Sequence, residues 1–336
     1  MSKVSAIVFH EHGAPATVAC CEEVELPDFG PGDALVEVVA APINPADLNV
    51  IEGKYPIRPA LPGTPGVEGA AIVRELGRDV SGLAIGDLVL LPHGLGSWRE
   101  AAVIPASQLI RVPEGISPVQ AAMLKINPAT ALRMLRDFAP LECGDWVVQN
   151  AANSGVGRAV IEIARDCGYR TVNVVRRAEL VAQLQEAGGD VVLVEGDSLK
   201  DEIAEAVRDA PLRLALNAVG GESALRLANA VSEGGTLVTY GAMSRQPVRA
   251  PNGLLIFRDV RFWGFWVSRW YAQASAAESG AMFEELFASA KHGLFNPPIA
   301  RTYRLQEAAA ALTHAAEGSR AGKILFAPSG ESARAR

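Results

Sequence analysis

The stretch with the plainest chemistry is Trp146-Val147-Val148-Gln149-Asn150-Ala151-Ala152-Asn153-Ser154-Gly155-Val156-Gly157. It reads as a short apolar strand, a turn of small residues and the start of a helix that runs through Arg158 to Ala164. The first turn of a helix leaves backbone N–H groups without partners, and the helix dipole adds positive potential there, so such a corner binds phosphate. Measured against the G-x-G-x-x-G fingerprint, only Gly157 matches; Ala152 and Ser154 stand at the first two glycine positions and Gly155 is an addition. An ordinary strand–turn–helix would satisfy the same residues. A run of alternating strands and helices after the corner favours a dinucleotide site instead.

The next informative residue is Arg176, which stands 19 positions after Gly157 at the end of Asn173-Val174-Val175-Arg176-Arg177. An acidic residue about 20 positions past the glycines would bind ribose hydroxyls and select NAD. Here no acid occurs before Glu179. A guanidinium pairs with phosphate through two parallel hydrogen bonds, so the pattern points to the 2′-phosphate of NADPH. A solvated arginine pair at a strand end is the alternative.

The elements that must position these groups follow from the periodicity. Residues 1 to about 115 carry short β-type runs at 1–9, 34–41, 69–76 and 87–91, punctuated by Pro31-Gly32, Pro62-Gly63, Pro65-Gly66 and Gly94-Leu95-Gly96. Near 117 the pattern changes. Ser117-Pro118-Val119-Gln120 predicts a helix with Ser as N-cap, Pro at the first helical position and Gln closing a capping box. Strands are then predicted at 146–151, 171–175, 191–194, 212–218, 236–240 and 260–265, with helices at 178–187, 198–208 and 222–232 between the earlier ones. Buried strands alternating with amphipathic helices indicate an α/β, doubly wound parallel sheet. A helix (277–291), a strand (300–305), a helix (306–316) and the strand Lys323-Ile324-Leu325-Phe326 return to the first domain. The organisation expected is 1–117, first part of a β-dominated catalytic domain; 118–266, the dinucleotide-binding domain; 267–328, the return; and 329–336, a disordered polar tail.

Composition sets outer limits. The chain has 336 residues, enough for two domains, and a net charge of −7, which argues against nucleic acid as a general partner. No apolar run has the length of a membrane span, and the N-terminus lacks the features of a signal or transit peptide, so a cytoplasmic setting is expected. Cys20, Cys21, Cys143 and Cys167 fit neither a disulfide framework nor a zinc knuckle. Two local clusters stand out. Trp263, Trp266 and Trp270 fall within eight residues, read either as a buried strand with edge packing or with Trp266 in an acyl pocket. Residues 244–271 hold five arginines against the one acid Asp259, a patch that could meet the phosphates of a carrier, although scattered solvated arginines are the commoner reason for such a count.

Six segments together resemble a known family: Asn44-Pro45-Ala46-Asp47, Gly53-Lys54-Tyr55-Pro56, the corner at 150–157, Asn173-Val174-Val175-Arg176, Tyr240-Gly241-Ala242-Met243 and Gly264-Phe265-Trp266-Val267-Ser268. The chain from about 4 to 327 resembles the trans-2-enoyl-thioester reductases of the mitochondrial type, within the zinc-free medium-chain dehydrogenase/reductase superfamily. The resemblance implies a Rossmann sheet inserted in a GroES-like catalytic domain. It implies NADPH-dependent reduction of the C2=C3 bond of enoyl-CoA or enoyl-acyl carrier protein, in a homodimer. Tyr55 becomes the proton donor. By the same resemblance Asn127; Asn153, Ser154, Gly155 and Val156; Arg176, Arg177 and Ala178; Tyr240, Gly241, Ala242 and Met243; Phe265, Trp266 and Val267; and Lys323 are cofactor contacts. Ala178 departs from the basic residue that relatives place there, and Arg177 is expected to replace its charge.

Catalytic zinc is not expected. Gly66-Val67-Glu68 stands where zinc enzymes of the superfamily have Gly-His-Glu, and no cysteine lies around Asn44 to Asp47. Two other functions remain open at this stage: a zinc-free NADPH:quinone oxidoreductase, which would not depend on Tyr55, and a non-catalytic NADPH-binding structural protein.

Overall fold

The computed structural model describes residues 3–208, 210–318 and 322–328. The early strands are β1 (Lys3–Phe9), β2 (Ala19–Glu25), β3 (Asp33–Pro42), β4 (Ala70–Leu76), β5 (Leu88–Leu90), β6 (Ala101–Pro105) and β7 (Ile110–Arg111). The middle of the chain holds β8 (Trp146–Gln149), β9 (Arg170–Val175), β10 (Val191–Val194), β11 (Leu212–Asn217), β12 (Thr236–Thr239) and β13 (Arg261–Gly264). The last two are β14 (Ile299–Tyr303) and β15 (Lys323–Phe326). The expected tail, 329–336, lies outside the described residues.

Two compact units result: one runs to Ile126 and resumes at Ala276, the other is Asn127–Ser275. The chain therefore changes unit later than the 117/118 and 266/267 boundaries read from sequence. Side-chain packing explains both shifts. Gln120 does not close a capping box; its buried amide donates to the carbonyls of Ala290 (3.1 Å) and Leu294 (2.7 Å), which ties the short helix Pro118–Ala121 to the first unit. Ser117 does act as the N-cap, accepting the Gln120 N–H at 3.2 Å. At the other boundary, Arg133 lies over the Trp270 ring at 4.9 Å, which keeps the helix Val267–Gln273 in the second unit.

In the first unit β1 and β2 pair antiparallel over their whole length. A larger sheet runs β14-β15-β3-β4-β5-β7, with β6 also on β3. β3 shows why it is central: Ala34, Val36, Val38 and Ala40 alternate inward before the strand is buried throughout at its end. Trp98 fills the core beneath, fully buried, its ring 5.1 Å from Phe326 and its N–H donating to the Pro42 carbonyl.

The second unit is one six-stranded parallel sheet in the order β10-β9-β8-β11-β12-β13. This is the 3-2-1-4-5-6 order of dinucleotide-binding sheets, with the switch of direction between β8 and β11. Helices Gly155–Asp166, Val181–Glu186, Leu199–Val207 and Gly221–Ala230 connect the strands. Sequence periodicity had no helix at Asn252–Phe257, where a helix precedes β13; only Leu254 of it is buried, so the segment lacks the apolar stripe that marks a helix. The tryptophan cluster is not a buried strand either. Trp263 lies on the edge strand β13 and is 58% exposed, and Trp270 is helical.

Candidate active site

The corner after β8 is built almost wholly from backbone. Asn150 leaves the strand and Ala151 turns left-handed at φ 48°, a conformation that costs an alanine about 1 kcal/mol. The chain then turns back through Ser154 N–H to the Ala151 carbonyl, 2.9 Å, and the helix Gly155–Asp166 begins. Ser154 is its N-cap, accepting the Gly157 N–H at 3.1 Å. Gly157 is required because a Cβ there would sit 2.5 Å from the Ala152 carbonyl oxygen. Gly155 faces the Asn127 carboxamide, 2.9 Å from where its Cβ would be. Gln149, the last residue of β8, locks the corner by donating to the Gly157 carbonyl and to Asn173 Oδ1, both 2.8 Å.

Because the sheet is parallel, the C-terminal ends of its strands share one edge with this corner. Arg176 follows β9 and is exposed, with no ion pair among the described residues. Arg177 pairs with Glu179 at 3.4 Å, both side chains being exposed. Tyr240, Gly241, Ala242 and Met243 follow β12. The Tyr240 hydroxyl is buried beside Ser154 without a well-formed hydrogen bond, and burial pushes its pKa up against that neighbour's opposing effect. Gly241 approaches the Ala218 carbonyl closely, and Met243 is 60% exposed. Phe265, Trp266 and Val267 follow β13, with the Phe265 N–H on the Thr239 carbonyl at 2.9 Å. An open helix N-terminus, a solvent-facing guanidinium and a buried hydroxyl in want of a partner fit a phosphorylated dinucleotide.

The arginine-rich segment 244–271 is partly engaged within its own unit. Of its five arginines, Arg249 pairs with Glu222, Arg261 with Asp259, and Arg258 donates to the carbonyls of Asn229 and Val231. These three brace the unit itself.

Tyr55 and Lys323 belong to the first unit. Tyr55 is half-buried in the loop after the helix Pro45–Ile51. Gly53 ends that helix at φ 69°, with the His12 ring 2.9 Å from where a Cβ would lie, and Arg58 donates back to the Gly53 carbonyl. The loop therefore leaves the helix in one defined direction.

At the helix's other end sits a cluster that sequence reading missed. Asp47 is buried and accepts the Asn44 N–H (2.8 Å) and the Val67 N–H (2.9 Å); burial pushes its carboxyl up to about 7. Glu68 is wholly buried and accepts from Asn44 Nδ2 (2.8 Å) and the Ile126 N–H (2.9 Å). Burial raises its pKa while Lys323 opposes. Lys323 donates to Asn44 Oδ1 at 2.7 Å. Lys125, pushed down to about 8 by burial, donates to the Leu91 carbonyl. Burial also holds His93 down to about 4. Only Gly66-Val67-Glu68 hinted at this cluster, as a carboxylate kept where a metal ligand is missing. Zinc does not fit here: Glu68 is committed to N–H donors and an ammonium stands beside its partner. No group of three or more metal-ligating side chains occurs among the described residues.

Comparison with known proteins agrees with this architecture. Residues 30–114 match the alcohol dehydrogenase GroES-like domain family and residues 155–283 the zinc-binding dehydrogenase family. The human mitochondrial enoyl-acyl-carrier-protein reductase is 42% identical over 317 residues, covering 93% of this chain and 85% of the relative. A complex of Etr1p with NADP and crotonyl-CoA superposes with a TM-score of 0.87 at 27% identity, over 97% of this chain and all of that one. The Etr1p/Etr2p heterodimer, a mitochondrial 2-enoyl thioester reductase from Candida tropicalis, gives 0.89 at 27% identity with the same coverage. The two units and their matches define a GroES-like dehydrogenase with a Rossmann domain. Within that class the chain belongs to the mitochondrial-type enoyl-thioester reductase family of the medium-chain dehydrogenase/reductase superfamily.

Proposed function

We infer that the protein is an NADPH-dependent enoyl-thioester reductase, reducing the C2=C3 bond of trans-2-enoyl thioesters. The observation that carries this reading is the exposed Arg176 at the end of β9, on the same sheet edge as the helix N-terminus at Ser154, in a chain of this family. Bound NADPH supplies the hydride that adds to Cβ. Ser154, Gly155 and Val156 receive the pyrophosphate at the helix N-terminus, with Asn153 and Asn127 flanking it. Arg176 pairs with the 2′-phosphate, with Arg177 and the Ala178 backbone beside it. Tyr240 to Met243 and Phe265 to Val267 hold the nicotinamide half, and Lys323 adds a cationic contact.

Tyr55 is the residue assigned to chemistry. As Cβ gains hydride, negative charge develops on the thioester oxygen; the phenol donates a hydrogen bond to it and then delivers its proton to Cα. A phenol holds its proton at neutral pH, since its ordinary pKa is about 10. The helix Pro45–Ile51 and the Gly53 turn aim the loop that carries it.

Two finer points belong here as proposals. We assign a dimer in which the exposed β13 edge, with Trp263, pairs with a second copy. We place the protein in the cytoplasm, on the grounds that Cys20, Cys21, Cys143 and Cys167 form no disulfide; its named relatives are mitochondrial, and no described helix is long and apolar enough to cross a membrane. The test of function is NADPH oxidation with crotonyl-CoA against an ortho-quinone. Turnover of the thioester that Tyr55→Phe abolishes supports the assignment; turnover of the quinone alone, unaffected by that change, overturns it.

A further inference from the structure

A wholly buried carboxylate is costly unless its lone pairs are filled, and replacing such a cluster by apolar side chains would often be neutral or stabilising. The cluster around Glu68 therefore calls for a reason beyond folding. Its geometry supplies one. The two Glu68 oxygens are divided between Asn44 Nδ2 (2.8 Å) and the Ile126 N–H (2.9 Å). With its NH2 group held by the carboxylate, the Asn44 amide must direct Oδ1 the other way, and that oxygen accepts the Lys323 ammonium at 2.7 Å. Charge, dipole and counter-charge stand in series. Turning the amide over would set NH2 against ammonium and oxygen against carboxylate, so Glu68 fixes which way the carboxamide faces. Asn44 is 2% exposed, and Lys323 enters from 279 residues away. The same carboxylate pins the backbone of Ile126, the residue before Asn127.

We propose that Glu68 and Asn44 are positioning residues for cofactor binding: they orient the Lys323 ammonium and so set NADPH affinity rather than the rate of the chemical step. This rests on the reading above that Lys323 contacts NADPH. Glu68→Gln is the sharpest probe. It keeps the volume but replaces one acceptor oxygen with a donor, so the side chain can no longer accept from both Asn44 Nδ2 and the Ile126 N–H, and it loses the negative charge that faces Lys323.

The test is a double-mutant cycle on the full chain, reading NADPH dissociation constants by fluorescence titration together with KM for NADPH and kcat at saturating cofactor. Lys323→Met is expected to weaken NADPH about tenfold, the worth of one charge-assisted hydrogen bond. Glu68→Gln weakens it about fivefold, with kcat within about twofold of wild type. The double variant binds no worse than Lys323→Met, since the carboxylate acts through the lysine. If Glu68→Gln does not fold, Asn44→Ser replaces it, since serine still suits a helix start but reaches neither partner. Wild-type affinity in Glu68→Gln and Asn44→Ser, or losses that simply multiply in the double variant, would overturn the proposal while leaving Lys323 a cofactor contact. Unchanged affinity in Lys323→Met would instead remove the lysine from the cofactor site, and the proposal with it.

Discussion

The corner after β8 and the cluster around Glu68 are opposite ways of building a functional site. The corner is local. Its turn, cap and glycine lie within a dozen residues, and the groups a helix start offers are backbone N–H groups. The cluster is assembled from side chains on segments 24, 58 and 279 residues apart. The corner tolerates the loss of two fingerprint glycines, since Ser154 caps the helix and Ala151 takes the left-handed turn. The cluster has less slack, because its carboxylate and amide are buried and are satisfied by groups from distant segments. A backbone-borne site is thus robust to sequence drift, and a buried polar network is not.

The comparison can be broken in four places. The largest effect is expected at the chemical step. Tyr55→Phe should lower kcat for crotonyl-CoA by about 10²- to 10⁴-fold, the range of a lost general acid, with NADPH binding unchanged. Rapid-mixing and titration measurements separate the two; a parallel loss of NADPH affinity would mean that Tyr55 is structural.

Next comes the corner's single indispensable glycine. Gly157→Ala drives a Cβ into the Ala152 carbonyl. It should cost about 1–3 kcal/mol of stability, as overpacking does, and more than tenfold in NADPH affinity. Normal affinity and melting temperature would show the corner to be softer than its geometry implies.

Arg176→Ala should cut affinity for NADPH by about tenfold and leave NADH nearly untouched, since only the 2′-phosphate contact is removed. Equal losses for the two cofactors would place the guanidinium elsewhere on the dinucleotide.

The smallest effect concerns His93. Its folded pKa lies near 4, below the ordinary 6.5, because burial disfavours the charged ring. The unfolded chain therefore binds the proton more readily, and this histidine withdraws stability as pH falls from 6.5 towards 4. His93→Gln should flatten that part of the stability curve by a few degrees in melting temperature, read by calorimetry from pH 7 to 4.5. Identical acid slopes in wild type and variant would assign the loss to other groups.

Legibility followed the same division. The parallel sheet could be read from alternating apolar runs, and its strands lie within a few residues of where periodicity places them. Ser117 could be read as a cap, but the partner of Gln120 could not, since the amide reaches carbonyls 170 and 174 residues on. For the tryptophan cluster one reading is a buried strand with edge packing; Trp263 lies on an edge strand and is exposed, because edge position in a sheet leaves no mark on a strand's own residues. For the arginines of 244–271 scattered surface groups are the commoner reading and a docking patch the rarer, and three of the five are engaged within their own unit.

By itself, the sequence determined the strand–turn–helix corner after β8, the exposed cationic end of β9 at Arg176 and the order of strands and helices. Each depends on covalent neighbours, on the periods of helix and strand, or on the steric demands of one turn. Only the tertiary structure decided that Glu68, Asn44 and Lys323 stand in one line. Whether a carboxylate is a solvated surface charge or the buried end of a network depends on which distant segments exclude water from it, and no local pattern encodes that.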